Sequence, residues 1–320
     1  MVMAATTQYD RTSPWSTLGT KVQATDVKGI LREAGLDFEV ATVIPHVPDH
    51  VPGGFTPQFV PAPDFRAIQR TDTGKVFGIA KKGYQVVQNR EAFALLEDLL
   101  ATDQIEVESA GTLKGGAQVW VQAKVLKPVD IPEDEVEAYL TISTSHDGSA
   151  GLRAVYGFLR LSCTNQLPSL GRGAKAVWSH RHSRHVLGKA DQARQILGLA
   201  PKVIDTFEDE VRRLIEVEVT DRRFQQIITQ VLPISDEQTP RQRNNVQEQR
   251  DAVKAMAASD RDGGGAFAGT GWGVVNAFNS WSQWAKPVKN ESDRAVRQAV
   301  RTLDGTYGNL TSRVAEMVLA

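Results

Sequence analysis

An α+β fold, with an antiparallel β-sheet and helices in the N-terminal half and an all-α C-terminal half, is predicted by three features of the sequence. First, alternating apolar runs come in pairs joined by turn residues. IEVESAGTL and AQVWVQAKV flank Lys114-Gly115-Gly116, and YLTIST and LRAVYGFLRLSC flank SHDGSAG. Second, these strands do not alternate with helices, so a parallel doubly wound sheet is excluded. Third, beyond Gly188 the apolar spacing changes to steps of three and four. The expected division is a flexible N-terminus over 1–25, an α+β antiparallel-sheet domain with a basic loop over 26–200, and a helical region packed on it over 201–320.

Taken in order, DVKGILREA reads as a short helix capped by Asp26 and closed by Gly35. FEVATVI alternates as a strand. The stretch Pro45–Pro63 carries six prolines, which predicts irregular chain or an excursion from a sheet edge. Phe65–Gln69 and Lys75–Ala80 form a hairpin across Thr71-Asp72-Thr73-Gly74. Asn89 is expected to cap the helix EAFALLEDLLA. Two hairpins, centred on Lys114–Gly116 and on SHDGSAG, then build the sheet.

A long amphipathic helix is expected from near Lys189 to Leu214, with Pro201 kinking or breaking it. Phe224–Leu232 and about Arg241 to Ala258 continue the helical half. DRDGGG (260–265) reads as a flexible turn, Phe267–Ala285 as an aromatic-rich helix, and roughly 292–303 and 307–319 as the last two.

The chain has 320 residues, 37 Lys and Arg against 38 Asp and Glu, and one cysteine, Cys163. A single cysteine excludes an internal disulfide framework and a four-cysteine zinc site. No apolar run approaches the roughly 18 residues of a membrane span, and the N-terminus lacks the basic-then-apolar pattern of a secretory signal. The expectation is a soluble protein of the cytoplasm that does not engage membranes. Cys163, in an apolar strand, should be buried and inert.

Although the formal net charge is only −1, charge is segregated locally. Residues 151–200 hold eight Lys and Arg against one acid, Asp191. Such a patch favours an anionic partner. Arg153, Arg160, Arg172, Lys175, Arg181 and Arg184 are expected to grip phosphates, with His180, His182 and His185 adding contacts. Strand alternation places Arg153 and Arg160 on opposite faces, because their separation is odd. Both reach one ligand only if a bulge intervenes, and Gly157 is where it would sit. Otherwise one of the two is structural.

Other motifs carry less. His180, His182 and His185 have metal-like spacing, but Arg181 and Arg184 interleave them and no carboxylate or thiol stands by as fourth ligand. Ser145-His146-Asp147 has the letters of a triad, yet contiguous turn residues cannot align nucleophile, base and orienter. The full phosphate-loop pattern is absent. Gly269-x-Gly271-x-Gly273 lacks a preceding strand and its third glycine comes too early for a dinucleotide fingerprint, so close packing or helix-start flexibility explains it better. Trp272, Trp281 and Trp284 could stack bases, but at helical spacing they read first as core. Arg294, Arg297 and Arg301 share a helical face that reads as solvated. Neither an enzyme nor a bound cofactor is predicted.

GYQVVQNREAFALLEDLL, TLKGGAQVWVQAKV, STSHDGSAGLRAVYGFLRLSCTNQL, SHRHSR with ARQILGLA, and GTGWGVVNAFNSW together resemble the phage- and plasmid-type family called domain of unknown function 932. The resemblance spans roughly 30–310 and implies a role in phage or plasmid DNA metabolism, with no catalytic residues to carry over. The order helix, antiparallel strands, long helix is also similar to single-strand annealing proteins of the Red beta and RecT class. That likeness implies ATP-independent binding of single-stranded DNA by a homo-oligomer, a ring or filament, in recombination or replication. The chief alternative is a protein-interaction module, a phage factor acting on a host protein, for which the acidic run Asp205–Glu218 is suited. A nuclease is a weaker alternative, since the basic stretch offers only Asp147 and Asp191 as carboxylates.

Overall fold

The structure is a computed structural model and describes residues 11–49, 58–168, 177–183, 195, 197–290, 293–304 and 306–320. It is α+β. A seven-stranded antiparallel sheet runs in the order β1-β7-β8-β9-β10-β11, with β12 on the same edge of β10 as β11. Its strands are β1 (Gly19–Lys21), β7 (Ile105–Leu113), β8 (Gln118–Val125), β9 (Val136–Ser145), β10 (Leu152–Arg160), β11 (Asn165–Pro168) and β12 (Val177–His180). The smaller sheet orders β2 (Val40–Val43), β5 (Phe65–Arg70) and β6 (Val76–Lys81), and β3 (His46–Asp49) pairs β4 (Gln58–Pro61) as a separate two-stranded ribbon. The proline-rich stretch is thus paired chain rather than irregular coil over its described part.

The helices are α1 (Pro14–Leu18), α2 (Val27–Glu33), α3 (Asn89–Phe93), α4 (Glu97–Ala101), α5 (Ala200–Glu216), α6 (Asp221–Val231), α7 (Pro240–Ala258), α8 (Gly271–Ser280), α9 (Arg294–Asp304) and α10 (Thr306–Leu319). Asp26 caps α2 by accepting from Gly29 N at 2.6 Å, and Gly35 takes φ +65°, a conformation that favours glycine. The expected cap at Asn89 is instead Gln88, which forms a capping box with Glu91. Asn89 is drawn inward, 2% exposed, because its amide is needed in the core. At Pro201 the expected long helix is broken rather than kinked, with a turn at 198–199 before α5. Pro201 stands in the first turn of α5, where its missing N–H costs nothing.

The large sheet has one largely apolar face. Val119, Val121 and Ala123 of β8, Ala138, Leu140 and Ile142 of β9, and Ala154, Tyr156 and Phe158 of β10 all turn towards the helical half. There Phe158 stacks on Phe207 of α5 at 3.6 Å between centroids, and Phe207 meets Trp272 of α8 edge-on. Helix α8 is buried along its whole length, which requires close backbone approach. A Cβ at Gly273 would lie 2.2 Å from Phe267 O and 2.4 Å from Gly263 O. The glycine pattern therefore packs backbone on backbone, and the centre of DRDGGG, Asp262 to Gly264, is buried at a corner, with Asp262 2% exposed. The opposite face of the sheet is only partly covered. Helices α1 and α9 lie on it around Trp15, Trp120, Ala299 and Leu303.

Candidate nucleic-acid interface

The predicted site residues separate into three groups. Arg172, Lys175, Arg184 and His185 lie outside the described residues. Arg160 and His182 are internal. Arg153, His180 and Arg181 reach solvent wholly or in part.

Arg160 does not grip phosphate, and the reason is strand parity. β10 pairs β9 in unbroken register from Arg153↔Ser143 to Arg160↔Val136, so no bulge sits at Gly157. Arg160 therefore follows Tyr156 and Phe158 onto the core face, 3% exposed. Its Nε donates to Asp134 Oδ1 at 2.9 Å and Oδ2 at 2.7 Å, and its Nη1 to the carbonyls of Arg261, at 3.1 Å, and Asp262. Trp272 Nε1 donates to the same Asp134 carboxylate at 2.7 Å. Asp262 is in turn held by Arg11 and Ser259, and these donors keep its carboxyl below the usual range despite its burial. Arg160 is thus the centre of a buried ionic junction joining the sheet to the corner before α8. Beside it, Cys163 is buried, and burial pushes its thiol up.

His182 is likewise committed. Its Nδ1 donates to Gln85 O at 3.1 Å, which leaves Nε2 to accept from the Thr144 hydroxyl at 2.9 Å. Tyr84 stacks on the ring at 5.1 Å, 5° from parallel. Both nitrogens of a neutral imidazole are used, and burial lowers its pKa. His146 stands nearby, wholly buried against Phe38 and Phe77, with Nε2 donating to Asn89 Oδ1 at 2.8 Å. Burial pushes its pKa down to about 4. Both ring nitrogens of His182 and Nε2 of His146 are thus engaged in internal hydrogen bonds. His180 Nδ1 contacts Arg181 O at 2.8 Å, and no trio of metal-ligating side chains occurs among the described residues.

On the opposite face of β10 the geometry suits an anion. Arg153 is half-buried between Ser143 of β9 and Ser179 of β12, and its buried Nε–H has no partner. Burial lowers its pKa and Asp304, at the end of α9, counters this. Further along α9 stand Arg297 and Arg301, and Lys286 precedes the helix with its ammonium 5.3 Å from the Trp281 ring centroid. Burial lowers the Lys286 pKa first, and the like charges of Arg301 and Arg297 add to this. A face that gathers cations against their own repulsion gains from a bound anion. Sequence spacing missed this grouping, because Lys286 and Arg153 are joined only through the packing of α9 on the sheet. The flanks of the basic stretch emerge beside it. Pro168 ends β11 against Gly308 of α10, and Arg181 follows β12 in an exposed position.

Arg294 is not part of that face. It is 8% exposed, and its Nη1 donates to Gln283 O at 3.0 Å and Lys286 O at 3.3 Å, closing the carbonyl end of the π-turn Trp281–Ala285 after α8. The tryptophans are core: Trp272, Trp281 and Trp284 are at most 3% exposed and cannot serve as a stacking platform.

The other clefts are not lined by the predicted cations. One of about 370 Å³ opens on the partly covered sheet face beside Glu108 and Tyr139. There the Tyr139 hydroxyl stands 3.0 Å from Glu108 and 2.8 Å from Glu137, and Lys124 pairs with Glu137. The acids of α5 are also used internally: Asp205 meets Lys127, Glu208 accepts from Asp130 N at 2.8 Å, and Glu210 pairs Arg213 at 3.0 Å.

No helix among the described residues is long and apolar enough to cross a membrane. No curated protein and no solved structure matches the chain. A family model described as a domain of unknown function, DUF932, matches residues 76–303. That span runs from β6 to α9 and holds the whole β7–β12 sheet, the Arg160 junction and α8. The chain belongs to the DUF932 family.

Proposed function

We propose that the protein binds single-stranded DNA through the face formed by β10, β12 and α9, protecting or annealing strands without ATP. The observation that carries this reading is Arg153. It is a half-buried cation with an unpartnered Nε–H, within a stretch, 151–200, whose cations outnumber its acids eight to one. Removing Arg160 from that count, because Asp134 neutralises it, still leaves a strong surplus. Lys286, Arg297 and Arg301 extend the charge along α9. Annealing calls for several copies along one strand, so self-association as a ring or filament belongs to the same reading.

Affinity for an unstructured oligonucleotide, read by fluorescence anisotropy across a salt series, tests it. Each neutralised phosphate contributes about −0.7 to the log–log slope, so four to six contacts give roughly −3 to −4. Arg153→Ala with Arg181→Ala should reduce the slope by about 1.4, two phosphates' share. Arg222→Ala with Arg241→Ala, exposed positions on α6 and α7, should leave it unchanged. Binding should proceed without ATP or divalent metal. Absent or salt-independent binding by the parent chain overturns the reading, and equal losses in both pairs reduce it to net charge.

A further inference from the structure

Thirteen large apolar side chains are markedly exposed among the described residues, and eight of them fall between Val43 and Ile79. The concentration has two parts. The first is the β3–β4 ribbon, in which every residue is exposed. Val47 and Val60 are direct cross-strand partners on one side, and Phe59, 62% exposed, lies opposite Pro48 on the other. A two-stranded ribbon with nothing on either face is marginal in water.

The second part is the outer face of the β2–β5–β6 sheet. Val43, Ala67 and Ile79 lie in register across it, with Phe65 two residues from Ala67 on the same side. A register shift between Ile68 and Gln69 brings Val76 opposite Gln69, and so onto this face as well. Ile79 is 61% exposed and Val76 51%. The inner face, by contrast, is sealed by Val40 and Ile68 in the core.

We propose that the β3–β4 ribbon of one copy docks on the outer β2–β5–β6 face of a second copy of this chain. Pro48 and Pro61 remove amide donors from the ribbon, so edge-to-edge strand addition is disfavoured and its faces are what remain for contact. The two uncovered apolar surfaces are matched in kind and lie on one polypeptide. They are continuous, since Pro45 O and Ala62 N bond where the ribbon leaves the sheet. Because every residue of the ribbon is exposed, it does not lie on the face at its own base and is left for a neighbour's. Charge agrees: the described ribbon carries Asp49, whereas β6 ends in exposed Lys81. This supplies a surface for the self-association in the reading above, yet it stands apart from DNA contact.

Sedimentation velocity of the full chain without DNA tests it. The parent should sediment as a concentration-dependent oligomer. Phe59→Thr with Val60→Thr, altering the ribbon, and Val76→Thr with Ile79→Thr, altering the face, should each shift it to monomer while circular dichroism and melting stay unchanged. Mixing the two variants should restore a dimer, because the intact ribbon of one fits the intact face of the other. A monomeric parent, or variants that still assemble, overturns the proposal. So does a mixture that stays monomeric, which would point to ribbon-on-ribbon or face-on-face contact or to a different protein as partner. Oligonucleotide binding by the monomeric variants is measured separately, so loss of assembly and loss of strand binding are read independently.

Discussion

His146 and His182 illustrate how a buried polar side chain can look functional and be structural. Each is neutral because burial disfavours the charged ring, an effect that Asp147 only partly counters at His146. His146 donates to Asn89, whose own Nδ2 donates to Leu36 O at 2.8 Å, so the amide oxygen is fixed towards the ring. The sign of the pH dependence follows. The unfolded histidine titrates near 6.5 and the folded His146 near 4, so the unfolded state takes up the proton first. The histidine contribution is complete above pH 6.5 and is lost as pH falls towards 4. The ceiling is about 3 kcal/mol for His146, at about 1.4 kcal/mol per pH unit. Urea unfolding at pH 7 and pH 5 should show a drop of about 2 kcal/mol from this source. His146→Gln should be less stable at pH 7 but lose less between the two. Equal pH slopes for parent and variant would contradict the assignment. That His146 is a turn residue rather than part of a triad was legible from contiguity alone. Its burial was not, because Phe77 of β6 and Phe38, just before β2, close over it.

At the scale of elements, periodicity located the strands and helices, whereas cap identity and corner geometry depended on tertiary partners. Asn89 and Gln88 are both competent caps by composition. Asn89 is taken by His146 and Leu36, so Gln88 supplies the cap. Helix α8 shows the converse, where sequence alone pointed the right way. Its glycines have no strand before them, and packing is what they do. Gly273→Ala would place a methyl within the contact distance of two carbonyl oxygens, Phe267 O and Gly263 O, neither of which belongs to a yielding side chain. Overpacking of this kind costs roughly 1–3 kcal/mol and sometimes more. Chemical denaturation should show the loss with an unchanged m-value. Gly269→Ala is an informative contrast. It meets nothing within 4 Å, and its φ of +74° makes the cost conformational rather than steric. A Gly273→Ala protein as stable as the parent would mean that α8 can shift away from the corner.

Across the whole molecule, the stretches that carry the family resemblance meet one another in two polar seams. In one, Tyr84 and Gln85 hold His182 while Asn89 holds His146, tying the stretch before α3 to the β9–β10 turn and to SHRHSR. In the other, Asn165 and Gln166 of β11 bond Ser280, Trp284, Asn279 and Gln283 around the end of α8, and Arg160 anchors the corner before it. Buried hydrogen-bonded groups of this type specify a fold, because leaving one partner unpaired is costly. Much of the distinctive sequence therefore encodes how sheet and helices join, and the proposed strand-binding surface draws on the less patterned cations outside the seams. Arg153 and Arg160 separate the two roles within one strand. Parity showed that they face opposite ways. Which one is structural was illegible, since Asp134 and the Arg261–Asp262 corner are distant in sequence. Arg160→Ala should destabilise the protein by about 3–5 kcal/mol, because it leaves Asp134 buried and uncompensated. Arg153→Ala should leave the melting temperature nearly unchanged and reduce the salt slope of oligonucleotide binding by about 0.7, one phosphate's share. Stability and binding measured on both variants therefore form a crossed test. If Arg160→Ala instead folds normally and binds weakly while Arg153→Ala melts early, the DNA-facing side of β10 has been assigned to the wrong face.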